Sequence, residues 1–368
     1  MTDRSLKLVL MGTGPFAVPS FRQIARSRHE ILAVVTKPPV GKPTRDKEPP
    51  QSPVMVWAED SKLPIFTPAS INEPSSIQWI EELNSDLLIV CDYGQILSSE
   101  ALSKARLGGI NLHGSLLPRH RGAAPVQWSI LAGDSMAGVS VIHMTPKLDA
   151  GPVLEQRSIP IGPNQNAEEL EMRLSQLGVE PTMVAIDRLA AQNDPDSGGH
   201  VGVPQAKELT TKAPRLKKTD GQLDLRYPIL WIDRQIRGLQ PWPGVFANMI
   251  NDQGKSVRLV VHKAHPVEID KSKLIAQGLT PGQVIFADTA MKLELTIEQP
   301  KQWVAVVAQD GLLVLDTVQI AGKLPMLSSG FVSGYGKQSN LRFDTPSEPH
   351  ELLEKMMAMN NSSISSFR

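Results

Sequence analysis

"LKLVLMGTGPFAVPSFRQIARSRHEILAVVT", residues 6–36, begins and ends in apolar runs separated by a stretch of helical periodicity. LKLVLMG reads as a buried strand, Phe16 to Ser27 as a helix and EILAVVT as a second strand, a unit of about thirty residues. The alternation continues outward. Helices fit near Pro53 to Ser61 and Ile77 to Asn84, DLLIVCDYG is a third apolar strand, and GGINLHG and GVSVIHMT supply two more around the helix VQWSILAG. Apolar strands interleaved with helices predict an α/β domain whose parallel or mixed sheet is covered on both faces. Residues 167–192, AEELEMRLSQLGVEPTMVAIDRLAAQ, predict helix over that sheet.

Residues 193–206, NDPDSGGHVGVPQA, are rich in Asp, Gly and Pro and lack periodicity, which marks a linker between a domain of residues 1–192 and a second of residues 207–335. In the second, a helix around Ile229 to Leu239 precedes PWPG and the runs VRLVVHKA, GQVIFAD, KLELTIE, WVAVVAQ and GLLVLDTV. Short strands broken by Gly and Asp predict a small OB-like β-barrel. Residues 336–368 are expected to form a tail of mixed helix and polar chain.

Of the 368 residues 41% are hydrophobic and 21% charged, the balance of a globular chain. No apolar run approaches the roughly 20 residues that span a bilayer. Residues 1–7 open no signal-like apolar segment, so a cytoplasmic protein away from membranes is expected. Formal net charge is zero, which argues against indiscriminate binding to nucleic acid, but residues 1–206 are net acidic and the remainder net basic. The basic excess gathers in residues 207–273, a candidate face for phosphates. The single cysteine, Cys91, excludes an internal disulfide and, within LLIVC, reads as a packed strand thiol. His113, His120 and His143 show no ligand spacing, so no metal is expected.

In GTGPFA, Gly12, Gly14 and Ala17 follow the first strand with the spacing of a dinucleotide fingerprint. The acidic residue that would hold a ribose is missing, since Thr36 and Lys37 stand there, and Pro15 restricts the turn. A tight strand-to-helix turn is the better reading. Chemistry concentrates in NLHGSLLPRHRGAAPVQ, residues 111–127. On a strand, Asn111 and His113 project to one face and can reach one bound molecule, at the carboxyl edge where such sheets bind ligands. The amide can donate to a developing oxyanion, and the imidazole can give or take a proton near neutral pH. SLLP adds a constrained apolar wall. MTPKLDAGPV ends another strand in a loop holding Asp149, which beside His113 would fix one tautomer and otherwise is a turn residue before Ala-Gly.

NLHGSLLPRHRGAAPVQWSILAGD, with Asp149 in LDAGPV, resembles the signature of the folate-dependent formyltransferases, and Gly114 is most similar to the branch acting on methionyl-tRNA. GTGPFAVPSF, SPVMVWAE, LPIFTPASI, RLKKTDGQLDL, RGLQPWPG and AGKLPM echo that branch in order. The resemblance implies a Rossmann-like N-terminal formyltransferase domain binding 10-formyltetrahydrofolate and a C-terminal barrel that helps hold tRNA. The implied reaction moves a formyl group onto the free α-amine of methionyl initiator tRNA for translation initiation, in a monomer without metal. Asn111 and His113 would polarise the formyl carbonyl, and Asp149 would support His113 and assist proton removal.

Ser115, Leu116, Leu117 and Pro118, with the backbone of Asp92, Tyr93 and Gly94, would border the pterin, and the loop 146–150 would close over it. Lys42, Arg45 and Lys47 in the loop KPPVGKPTRDKEPPQSPV would reach the tRNA, with Lys212, Arg215, Lys217 and Lys218 from the later segment. Two positions depart from the pattern. Gly14 precedes Pro15 where the family's turn has Pro directly after Gly-Thr, and Asp92 replaces a small apolar residue. Rival assignments are an amino-sugar nucleotide N-formyltransferase or a folate hydrolase, many of which carry Pro at the place of Gly114. A glycinamide ribonucleotide formyltransferase would not need residues 207–335. A noncatalytic tRNA-binding or folate-binding module would not need Asn111, His113 and Asp149 together.

Overall fold

The computed structural model describes residues 4–39, 41, 49–191, 202–338, 340–348 and 350–365, with residues 360–365 as backbone alone. The chain divides into two compact units, one of residues 1–126, 135–161 and 169–215, the other of residues 127–134, 162–168 and 216–368. From the start, β1 (Lys7–Gly12) leads through a 3-10 turn into α1 (Val18–Ala25) and β2 (Glu30–Val35), followed by α2 (Pro53–Asp60), β3 (Ile65–Phe66), α3 (Pro74–Glu82) and β4 (Leu87–Cys91). Then come α4 (Ser99–Ser103), β5 (Gly109–His113), β6 (Arg121–Gly122), α5 (Pro125–Leu131), β7 (Met136–His143), β8 (Val153–Pro160), α6 (Ala167–Leu177), α7 (Val179–Ala190) and β9 (Lys212–Ala213).

The sheet of the first unit runs β3-β2-β1-β4-β5-β7-β8, parallel as far as β5 and antiparallel at β7 and β8. Val9, Met11, Leu88 and Val90 pack with Ile77 and Ile80 of α3 and Ala101 and Leu102 of α4. The alternate residues Leu8 and Leu10 are equally buried, so neither face of β1 meets water. Burial of each such side chain is worth about 1.5–3 kcal/mol, which is why these strands are continuous apolar runs. The helices start where their sequences say they should. The Ser52 hydroxyl accepts from the Met55 N–H at 3.1 Å with Pro53 in the first turn, and Ser98 caps α4 in the same way. Cys91 is a buried free thiol, as a packed strand residue should be.

The helical segment 167–192 is two helices. They meet at Gly178, where a Cβ would lie 2.7 Å from Cδ2 of Leu112, so the α6–α7 joint crosses close over β5.

The second unit contains α8 (Ile229–Gly238), β10 (Val245–Ile250), β11 (Ser256–Glu268), α9 (Lys271–Ala276), β12 (Val284–Phe286), α10 (Ala287–Lys292), β13 (Val304–Val307), β14 (Gly311–Ile320), β15 (Met326–Leu327), α11 (Ser328–Tyr335), β16 (Arg342–Phe343) and α12 (Glu351–Ser365). Its antiparallel sheet runs β12-β13-β14-β11-β10-β16, with β15 pairing off β14. The last strand returns to the first. Arg342 bridges to Gln283, Phe343 N–H donates to the Gly282 carbonyl at 2.7 Å, and Val284 N–H donates to the Leu341 carbonyl at 2.9 Å. The product is a nearly closed barrel, bent where the β11 register shifts between Val261 and Ala264. Leu274, Ile285, Leu293, Ala305, Val307 and Leu312 pack together within it.

One expected strand is absent among the described residues. KLELTIE follows the end of α10 and turns at Glu294, whose φ is +65° and whose carboxylate meets Lys273 Nζ at 2.7 Å. Leu293 still enters the core, so its burial produced the alternation without a ladder. Within residues 336–368, β16 helps close the barrel and α12 buries Leu352, Leu353 and Met356.

Candidate active site

β5 carries Asn111 opposite Val90 of β4 and His113 opposite Ser140 of β7. Leu112 faces Gly178 in the helical cover, so its two neighbours project from the other face at the carboxyl end of the strand. Among the described residues no hydrogen bond engages the Asn111 amide. His113 is 6% exposed and donates from Nε2 to the His120 carbonyl at 2.9 Å. In the neutral ring that bond holds the proton on Nε2 and leaves the lone pair on Nδ1. Nδ1 lies 3.8 Å from Oδ1 of Asp149. The other oxygen of Asp149 accepts the Gly122 N–H at 2.9 Å.

Several residues that the motifs did not single out build this geometry. The His120 N–H donates to Thr211 Oγ1 at 2.9 Å, and β6 pairs with β9, which sets the His120 carbonyl and the Gly122 N–H in place. Gln205 donates to the carbonyls of Asp149 at 2.9 Å and Gly151 at 2.7 Å while accepting from Arg121. The Ser115–Pro118 turn is tied to β7 and β8. Ser140 accepts the Leu117 N–H at 3.0 Å and donates to the Ser115 carbonyl, and Gln156 donates to Ser140 and to the Leu117 carbonyl. Leu117 is buried, and Leu116 lies where a Cβ on Gly138 would stand.

Asp92 follows β4. It is open to solvent by area yet hemmed in by protein, as a group lining a cleft is, and this partial burial pushes its carboxyl up to about 6 against the opposing pull of the Lys37 ammonium. The Tyr93 ring is buried in the core with its hydroxyl pushed up to about 12 by loss of water, so its backbone is what reaches the strand edge. There its carbonyl accepts from Thr13 Oγ1 at 3.1 Å.

The formyl transferase family profile matches residues 6–186, and the formyl transferase C-terminal domain profile matches residues 215–336. A protein named methionyl-tRNA formyltransferase from Rhodopirellula baltica is 43% identical over 335 residues, covering 90% of this chain and 94% of that protein. The chain belongs to the methionyl-tRNA formyltransferase family. Another of that name from Symbiobacterium thermophilum is 36% identical over 346 residues, covering 94% of this chain and 97% of the other. Solved structures share the fold at lower identity. An N-formyltransferase from Helicobacter canadensis in complex with folinic acid and dTDP-3-aminofucose has a TM-score of 0.56 at 16% identity, over 84% of this chain and 98% of its own. HypX from Aquifex aeolicus in complex with tetrahydrofolic acid has a TM-score of 0.53 at 15% identity, over 90% of this chain and 47% of its own.

In this member of the methionyl-tRNA formyltransferase family, the structure brings His113 and Asp149 together and sets Asn111 beside them on β5. Lys42, Arg45 and Lys47 lie outside the described residues. Lys212 and Arg215 are exposed in the first unit, Lys217 and Lys218 in the second, and Lys217 Nζ stands 3.3 Å from Glu351. Ser140 had a signal in the sequence, a hydroxyl inside the apolar run GVSVIHMT. Gln205 had none, because its partners are distant in the chain and its segment has no period.

Proposed function

We propose that this chain transfers the formyl group of 10-formyltetrahydrofolate to the free α-amine of methionyl initiator tRNA, acting as a cytoplasmic monomer without metal. Its 43% identity to a methionyl-tRNA formyltransferase across nine-tenths of the chain carries the proposal. The residues present fit the folate co-substrate: an unengaged amide at Asn111 and a buried apolar flank at Leu117 follow one another at the carboxyl end of β5. That co-substrate supplies an activated formyl group. Asn111 donates to the carbonyl oxygen as negative charge develops there, an interaction worth about 2.7–4 kcal/mol. His113, with its Nε2 proton held by the His120 carbonyl, exchanges a proton at Nδ1, and Asp149 stabilises the charged ring. Alignment of two large substrates supplies much of the rest.

The proposal assigns residues 1–192 to formyl transfer, 193–206 to a linker, and 207–335 to the barrel that holds tRNA, with 336–368 as the following segment. Ser115 to Pro118 and the backbone of Asp92 to Gly94 border the folate. Lys42, Arg45, Lys47, Lys212, Arg215, Lys217 and Lys218 contact tRNA phosphates. The test is transfer of labelled formyl from 10-formyltetrahydrofolate to methionyl initiator tRNA. Asn111→Ala and His113→Ala are each expected to lower the rate by about 10²- to 10³-fold while remaining folded and still binding tRNA. Turnover of an amino-sugar nucleotide in place of the charged tRNA would replace the acceptor assignment.

A further inference from the structure

Gly14 and Asp92, the two departures from the family pattern, are in contact. A Cβ on Gly14 would lie 1.7 Å from Oδ2 of Asp92 and 2.8 Å from its Cγ, so the carboxylate fills the space any larger residue at position 14 would need. The backbone fastens the pair. The N–H groups of Thr13 and Gly14 lie 3.0 and 3.4 Å from the Asp92 carbonyl, and Asp92 holds a φ of +46°, which Asp tolerates better than most residues. Lys37 completes the group, its Nζ 2.4 Å from where a Cβ on Gly94 would stand. The segments after β1, β2 and β4 thus converge on one carboxylate. On the other side of β4, Val90 pairs with Asn111, so Asp92 and His113 each stand two residues past that pair, on strands about 4.8 Å apart.

Apart from the Asn111 amide, assigned above to the formyl oxygen, the neighbouring polar groups have partners: His113 bonds the His120 carbonyl, and Asp149 accepts from Gly122. Among the described residues no hydrogen bond engages the Asp92 carboxylate. Exposed at the cleft, its oxygens can accept from a donor that a ligand brings. Its oxygen leans toward Gly14, whereas the Ser115–Pro118 turn is anchored to β7 and β8 beyond β5. The carboxylate therefore borders the side of β5 opposite the proposed folate turn.

We propose that the Asp92 carboxylate, accommodated by Gly14 and flanked by Lys37, binds the α-ammonium of the amine substrate and takes its proton. The inference rests on the formyl-transfer function proposed above. The ammonium gives one proton to the carboxylate, leaving a neutral amine and a carboxylic acid. The amine lone pair then attacks the formyl carbon, the bond from that carbon to N10 of the folate breaks, the attacking nitrogen's extra proton passes to N10, and the carboxylic acid returns its proton to solvent. The groups that bear on Asp92 are Lys37 beyond β2, the buried Cys91 thiol on its own strand, pushed up by burial and by Asp92, and His113 at the end of β5. The turn after β1 contributes only Thr13 and Gly14.

The test compares native enzyme with Asp92→Asn across pH 5 to 8. The native kcat/KM for methionyl-tRNA is expected to rise with a midpoint near the value of about 6 that burial gives Asp92. Asp92→Asn is expected to lose that limb and at least about tenfold of kcat/KM for the acceptor at pH 7, with KM for the folate unchanged within about twofold. An unchanged pH profile, or a loss confined to the folate KM, overturns the inference. A second arm needs no turnover: binding of the nonhydrolysable 3′-methionylamido-adenosine against its desamino counterpart. Native protein is expected to prefer the amine-bearing compound and Asp92→Asn to lose the preference; equal binding by native protein also overturns the inference. A native protein that shows the preference yet transfers nothing to methionyl-tRNA would overturn the proposed function and leave the ammonium site standing.

Discussion

Gly122 holds a φ of +135° with its N–H 2.9 Å from Asp149, and a Cβ there would lie 2.3 Å from the Ala213 carbonyl oxygen. A side chain meets both a disfavoured backbone and an immovable neighbour. Gly122→Ala is expected to loosen Asp149 and lower kcat/KM for formyl transfer by about 10- to 100-fold, the usual cost of disturbing a group that orients a site residue. An unchanged rate would show that Asp149 does not depend on that donor. Ser140 offers a contrast, because it is fully buried and joins Leu117, Ser115 and Gln156. Ser140→Ala leaves those groups unpaired and is expected to cost about 1–3 kcal/mol of stability and raise the folate KM, measured by urea unfolding and steady-state kinetics. The contrast also shows what a sequence exposes. Asn111 and His113 are legible because strand period puts them on one face, whereas the Gly122 and Gln205 bonds to Asp149 depend on the β6–β9 pairing and a crossing between segments far apart in the chain.

At the scale of elements, β1, α1, β2, β4, β5 and β7 were legible because burial on both faces leaves an uninterrupted apolar signature. KLELTIE carried the alternation of a strand, but Leu293 satisfies its burial from the end of α10. β16 is two residues long and α12 is rich in Ser and Asn, so neither announces itself; their tertiary contacts make them. His350 sits at the start of α12, 6% exposed, with its Nδ1 3.5 Å from the Leu353 N–H. Burial lowers its pKa below 6.5, opposed by a Gln222 backbone bond and the carboxylates of Asp220 and Asp224. The unfolded chain therefore binds the proton first. Stability is lost as pH falls through 6.5, and the loss ends once pH drops below the lowered folded value. Thermal melts from pH 8 to 5 are expected to show a smaller acid decline for His350→Gln than for the native chain, with His29, lowered by burial and Arg28, accounting for part of what remains. Parallel declines would show that folding leaves the proton affinity of His350 unchanged.

Across the whole molecule the charge is divided, acidic through residue 206 and basic beyond it, so a net charge of zero conceals a segment suited to phosphate. The candidates there are not equivalent. Glu351 is 3.3 Å from Lys217 and 2.6 Å from Lys355, so the Lys217 charge is shared before any nucleic acid arrives, and Glu351 is held below the usual carboxylate range by those two ammonium groups. All three side chains are exposed, so the pairs add little stability. Their consequence belongs to binding, because a lysine that must leave a carboxylate to meet a phosphate releases less net counterion than a free one. Each direct phosphate contact contributes about 0.7–0.9 to the slope of log affinity against log salt. Lys212→Ala, Arg215→Ala and Lys218→Ala are each expected to reduce that slope for methionyl-tRNA by about that amount. Lys217→Ala is expected to reduce it less, and Glu351→Ala to tighten binding at low salt by freeing Lys217. Titrations of labelled tRNA from low to physiological salt check the order: a full-sized change for Lys217→Ala, with none for Glu351→Ala, would mean that the pair does not restrain Lys217 in solution.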